Sequence, residues 1–159
     1  MNNADIVVYQ RFLNGSMLEL VKKILAKIKA DGLTENSSLY FSFQTDNPMV
    51  KLSEKMKMVY PKEITIVLQH QFHDLQIGDD YFSVVISFSG IKETICVPFC
   101  SLTSVVDVNN GLSLKLNPEI TKLSSSNNIA KKDLENTINK PKSLGKIVVL
   151  DNFRNKHKD

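Results

Sequence analysis

Apolar residues recur at three- and four-residue steps from Met17 through Leu20, Val21, Ile24 and Leu25 to Ile28, with Lys22, Lys23, Lys27 and Lys29 mostly between them. That period is helical, and the stripe predicts an amphipathic helix ending at the Asp31-Gly32-Leu33 stop. Ile6, Val7, Val8 and Phe12 extend it toward the N-terminus, although Asn14 and Gly15 weaken its middle. From residue 38 the period becomes two. Leu39, Phe41 and Phe43 alternate with Tyr40, Ser42 and Gln44, and Ile64, Ile66 and Leu68 alternate with Thr65, Val67 and Gln69. IGDDY (77–81) reads as a turn, YFSVVISF (81–88) as a strand, Ser89-Gly90 as a tight turn and KETICVP (92–98) as the next strand. NNG (109–111) precedes a last alternating piece at Leu112, Leu114 and Leu116. One helix followed by short strands and tight turns predicts an α+β, mostly β fold: an antiparallel meander curled into a small barrel. Periodicity is absent from 117 to 145, which reads as a linker, and returns in GKIVVLDNFRNKHKD (145–159).

Composition adds little to that picture until charge is divided along the chain. With 159 residues, 42% of them hydrophobic, there is material for one domain with a real core. No apolar run approaches the roughly 18–20 residues of a membrane span, the N-terminus has no basic and apolar leader pattern, and there are only two cysteines. A soluble protein in a reducing cytoplasm, without a membrane partner, is the expectation. Residues 1–116 hold 11 Lys+Arg against 12 Asp+Glu, a net −1, and residues 117–159 hold 9 against 5, a net +4. A neutral body with a mildly basic tail disfavours nucleic acid, which calls for a basic stripe on the folded part.

Candidate catalytic chemistry is sparse. His70, His73, Cys96 and Cys100 are four potential zinc ligands, but residues three apart on a strand point to opposite faces, and neither pair has knuckle glycines. Buried cysteines and a turn histidine are the simpler reading. No nucleophile elbow or phosphate-cradling glycine loop is present, and Asp79 and Asp80 share a turn rather than facing each other across a cleft. No enzyme, metal or cofactor is expected.

The strand alternation offers something else. With Ile64, Ile66 and Leu68 turned inward, Thr65, Val67, Gln69 and Gln71 line the opposite face. With Phe82, Val84, Ile86 and Phe88 inward, Ser83, Val85 and Ser87 turn out. Small apolar groups among uncharged hydrogen-bonding ones suit an extended peptide, and Phe72 with His73 are placed to wall such a groove.

YPKEITIVLQHQFHDLQIGDDYFSVVISFSGIKETICVPFCSLT (60–103) resembles the core of the stringent starvation protein B family, SspB, in its alphaproteobacterial form. TIVLQHQ and the F-x-G-x-x-x-x-x-x-V-P piece fall in register, with Ser89 where the family has the first glycine of a Gly-Gly turn. The resemblance runs from the helix to about Leu116 and resumes in KIVVLDNFR. It implies a dimeric adaptor, not an enzyme, that binds the ssrA degradation tag and delivers tagged polypeptides to the ClpXP protease. It implies an N-terminal helix on a small Sm-like or SH3-like barrel with a disordered tail that docks on the N-terminal domain of the ClpX unfoldase. Carried onto this sequence, the tag groove comprises Val67, Gln69, Gln71, Phe72, His73, Val85 and Ser87. The docking segment comprises Lys146, Ile147, Val148, Val149, Leu150, Asp151, Phe153 and Arg154. The expected organisation is a tag-binding and dimerisation domain at 1–116, a linker at 117–145 and a docking tail at 146–159, with Met17, Val21, Ile24 and Ile28 as candidates for the dimer face.

A coil of the linker's length has an r.m.s. span of roughly 30 Å and a reach near 100 Å, so weak docking holds a tag near the unfoldase at an effective concentration of order millimolar. The rival reading, an Sm-like RNA-binding module, lacks the basic and stacking residues around Gln69 and Ser87 that single-stranded RNA requires.

Overall fold

The computed structural model describes residues 2–70 and 72–125. Helix α1 (Asn3–Asp31) begins earlier than its strongest periodicity. The main-chain N–H of Asn2 donates to the Asp5 carboxylate at 3.4 Å, which supports the first turn. Gly32, at φ 76°, ends the helix and donates its N–H to the Ile28 carbonyl at 2.8 Å, a left-handed cap that favours glycine. Only the second half of the predicted stripe is core: Val21, Leu25 and Ile28 are buried, with Met17, Leu18 and Ile24 half-buried against them. In the first half Ile6, Val7, Tyr9, Phe12 and Leu13 are exposed.

The remaining elements are β1 (Leu39–Gln44), α2 (Glu54–Val59), β2 (Glu63–Leu68), β3 (His73–Ile77), β4 (Tyr81–Phe88), β5 (Ile91–Pro98), β6 (Leu102–Asp107), β7 (Leu112–Lys115) and α3 (Pro118–Ser125). The strands form two antiparallel sheets, one ordered β2-β1-β6-β7 and the other β3-β4-β5. Both contribute to one core. Phe41 of the first sheet meets Phe82 of the second with ring centroids 5.3 Å apart, and Phe82 meets Phe99 at 5.9 Å. All three rings are buried.

Three features differ from the sequence-based expectation. The strands do not run as a plain meander, because β1 pairs with the distant β6 as well as with β2. The sequence pattern left β6 unassigned, since LTSVVD carries Val105 and Val106 together and lacks clean alternation. Helix α2 occupies a stretch without a predicted element, started by the Ser53 hydroxyl accepting the Met56 N–H at 3.3 Å.

Within the stretch read as a linker, residues 118–125 are helical. Pro118 opens α3, a position its fixed φ suits. Buried Asn14 reaches the same region: its Oδ1 accepts the Asn117 N–H at 2.8 Å and its Nδ2 donates to the Thr121 hydroxyl at 2.5 Å. That explains a polar residue on the helix face where the sequence pattern weakened. The chain divides into two units, Met1–Lys122 and Leu123–Asp159. Only Leu123–Ser125, the end of α3, is described in the second.

Candidate peptide-binding cleft

Alternation along β2 buries Ile64, Ile66 and Leu68 and turns Thr65 and Val67 outward. Along β4 it buries Phe82, Val84 and Ile86 and turns Ser83, Val85 and Ser87 outward. Strand β2 lies at the edge of its sheet. Strand β3 pairs with β4 from Ile77 opposite Phe82 to His73 opposite Val85, with a register shift between His73 and Gln76. There it ends. Asp74 sits at φ 50° within that irregularity, and its carboxylate accepts the Gln76 side-chain amide at 2.6 Å.

The last three residues of β4 therefore border open space. Between them and β2 lies a cleft of about 240 Å³. Thr65, Val67 and Gln69 line it from the β2 side, Ile86, Ser87 and Phe88 from the β4 side, and Phe72 completes the lining. The Phe72 N–H donates to the Gln69 carbonyl at 3.4 Å, folding the chain back at that point. The Gln69 side-chain amide donates to the Ser38 hydroxyl at 3.0 Å and is solvent-exposed, so it has an existing partner and a free side for another. No lining residue carries a charge.

Of the groove residues named from sequence, Val67, Gln69, Phe72 and Ser87 meet in this cleft. His73 and Val85 do not line it; they face each other across β3 and β4, one step beyond its end. Gln71 and the tail residues Lys146–Arg154 lie outside the described residues. Ile86 and Phe88 were missed because alternation assigns both to the core. Phe88 is in fact half-buried, and both border the cleft because β3 stops short of them, which only the pairing reveals.

Two larger depressions lie along β5. One, of about 470 Å³, is lined by Met49, Tyr81, Cys96 and Pro98 with Lys51 and Asp80. The other, about 450 Å³, lies beside Lys51, Ser53 and Ile91–Thr94. Size does not select between them and the smaller cleft, but edge structure does: Lys51 and Cys96 exchange main-chain hydrogen bonds of 3.0 Å in both directions, closing the β5 edge there. Burial pushes the Cys96 thiol up from its ordinary pKa and the Lys51 ammonium partly offsets this, so the net direction favours the thiol over the more nucleophilic thiolate. Cys100 accepts from the Asn47 amide at 3.7 Å. Among the described residues no three metal-ligating side chains gather, and no helix is long and apolar enough to cross a membrane.

A long helix on two antiparallel sheets, with an uncharged cleft between two strand edges, defines an α+β, mostly β fold whose open surface is built from main chain and neutral side chains. The model of the SspB family, Stringent starvation protein B, matches residues 13–155, and the chain belongs to that family. It is a family of adaptors associated with protein degradation rather than of enzymes. The match includes the cleft and extends through residues 146–154. No curated protein matches the chain.

Proposed function

We propose that this protein is a proteolysis adaptor in the cytoplasm that binds ssrA-tagged polypeptides in the β2–β4 cleft and delivers them to the ClpXP protease. The observation that carries this reading is the meeting of Val67, Gln69, Phe72 and Ser87 in one uncharged cleft, in a chain whose family match also spans the tail. The apolar walls take small side chains of an extended peptide, and the Gln69 amide and Ser87 hydroxyl take its polar groups. Residues 146–154 engage the N-terminal domain of the ClpX unfoldase, with Leu150 and Phe153 as the apolar anchors.

The same reading includes a homodimer, centred on the first half of α1 rather than on the Met17–Ile28 stripe. Val21 and Ile28 are committed to the chain's own core, whereas Tyr9, Phe12 and Leu13 are exposed on the first half of α1. A patch of that kind is the better candidate for a self-complementary contact. Two tails per particle then strengthen a weak docking contact through avidity.

Titrating a fluorescent ssrA-tag peptide into the full-length protein and following anisotropy tests the central claim. Saturable binding that weakens in Gln69→Ala supports it. Absence of binding by a folded protein refutes it.

A further inference from the structure

Opposed residues in an antiparallel pair alternate between two kinds. One kind exchanges both main-chain hydrogen bonds, and the other turns its N–H and C=O away from the partner strand. Where the outward-turned groups go is therefore readable from one fixed point on each strand pair.

For β4 and β5 that point is Cys96. Its N–H and C=O are both bonded to Lys51, so they point away from β4. Cys96 opposes Ser83, and by alternation Ser83, Val85 and Ser87 all turn their main-chain groups away from β5. Ser83 and Val85 meet Gln76 and His73 of β3. Ser87 lies beyond β3, and its groups point into the cleft.

For β1 and β2 the fixed point is the bond from the Thr45 N–H to the Lys62 carbonyl at 2.9 Å, one step past Gln44 opposite Glu63. Ile64, Ile66 and Leu68 then exchange bonds with β1, while Thr65 and Val67 turn theirs to the open side. The Ser42 and Thr65 hydroxyls, 2.7 Å apart, fit the closer approach of a pair without mutual main-chain bonds. Thr65, Val67 and Ser87 thus present main-chain donors and acceptors from both walls of the cleft they line. Among the described residues no strand occupies the space between.

We propose that a bound polypeptide adds as a β-strand between β2 and β4, bonding to the main chains of Thr65 and Val67 on one side and of Ser87 on the other. This rests on the peptide-binding reading and deepens it. The cleft then selects for an extended segment with an uncharged core more than for one sequence, because main-chain bonds are common to all peptides and no lining charge rewards or rejects a side chain. Substrates fit if a stretch of about three residues lies flat and neutral, whatever flanks it.

The experiment is a backbone scan. A fluorescent ssrA-tag peptide and a series in which each amide in turn is replaced by an ester are titrated into the full-length protein. A strand bonded on both sides uses every N–H, alternately to either wall, so esters at consecutive core positions should each weaken binding about three- to tenfold. Loss at every second position only would overturn the bridging arrangement, since it indicates one wall alone. Uniform tolerance of esters, with the parent peptide still binding, would overturn strand addition while leaving the adaptor reading intact. Failure of the parent peptide to bind would overturn both.

Discussion

Two flanks of the β3-β4-β5 sheet, the outer side of β5 and the stretch of β4 that β3 does not reach, are finished differently. At β5 the edge is closed by chain: Lys51 bonds Cys96 in both directions, and the Ser53 hydroxyl donates to the Glu93 carboxylate at 3.0 Å. At β4 the edge beyond Val85 is left open, facing the equally open edge of β2. An uncovered strand edge invites unwanted pairing, and proteins usually blunt it with charge, proline or a covering segment. Here the blunting is applied at β5 and omitted at the uncharged cleft. The difference separates an edge needed for integrity from one available to a ligand.

The largest expected effect lies beneath both edges. Phe82→Ala removes the ring joining Phe41 to Phe99 and should destabilise the protein by about 3–5 kcal/mol in urea denaturation, taking peptide binding with it. Proline then distinguishes the edges. Cys96→Pro deletes a donor that Lys51 uses and should cost about 3 kcal/mol or more, whereas Ser87→Pro, at an open edge, should leave a folded protein with weakened tag binding. Equal loss of stability in the two variants would erase the distinction.

Smaller effects sharpen it. Gln69→Ala should weaken tag binding by about 0.5–1.5 kcal/mol without lowering Tm, while Thr94→Ala, beside the larger depression on β5, should leave the affinity unchanged. The least effect concerns the Cys96 thiol. Burial favours its protonated form, so its contribution to stability is constant below the ordinary thiol pKa and declines as pH rises through and above it. Alkylation at pH 8 should accordingly be slower at Cys96 than for a small free thiol, measured by mass spectrometry of modified peptides.

What the sequence revealed follows from how each element is specified. Strands β2 and β4 were legible because one buried face imposes strict alternation, and that alternation placed Val67, Gln69 and Ser87 outward as found. Strand β6 was not, because its place beside β1 is set by long-range pairing rather than by a local period. The cleft was half legible for a related reason. Its side chains are encoded in β2 and β4, but its existence depends on where β3 stops, and the shift between His73 and Gln76 has no signature in a single sequence. Asn14 looked like a flaw in the helix until its partners at Asn117 and Thr121 became visible.

That asparagine also bears on how the described chain is held together. Two hydrogen bonds tie Asn14 of α1 to the chain around the start of α3, one to Asn117 just before it and one to Thr121 within it, across sequence separations of 103 and 107 residues. The last described part of the chain is thereby fastened to a 29-residue helix as well as to β7, a four-residue edge strand that pairs with β6 and packs Leu112 and Leu114 against the core. Asn14 is thus a rivet between the two ends of the described chain, one side chain using both its donor and its acceptor to fasten them together.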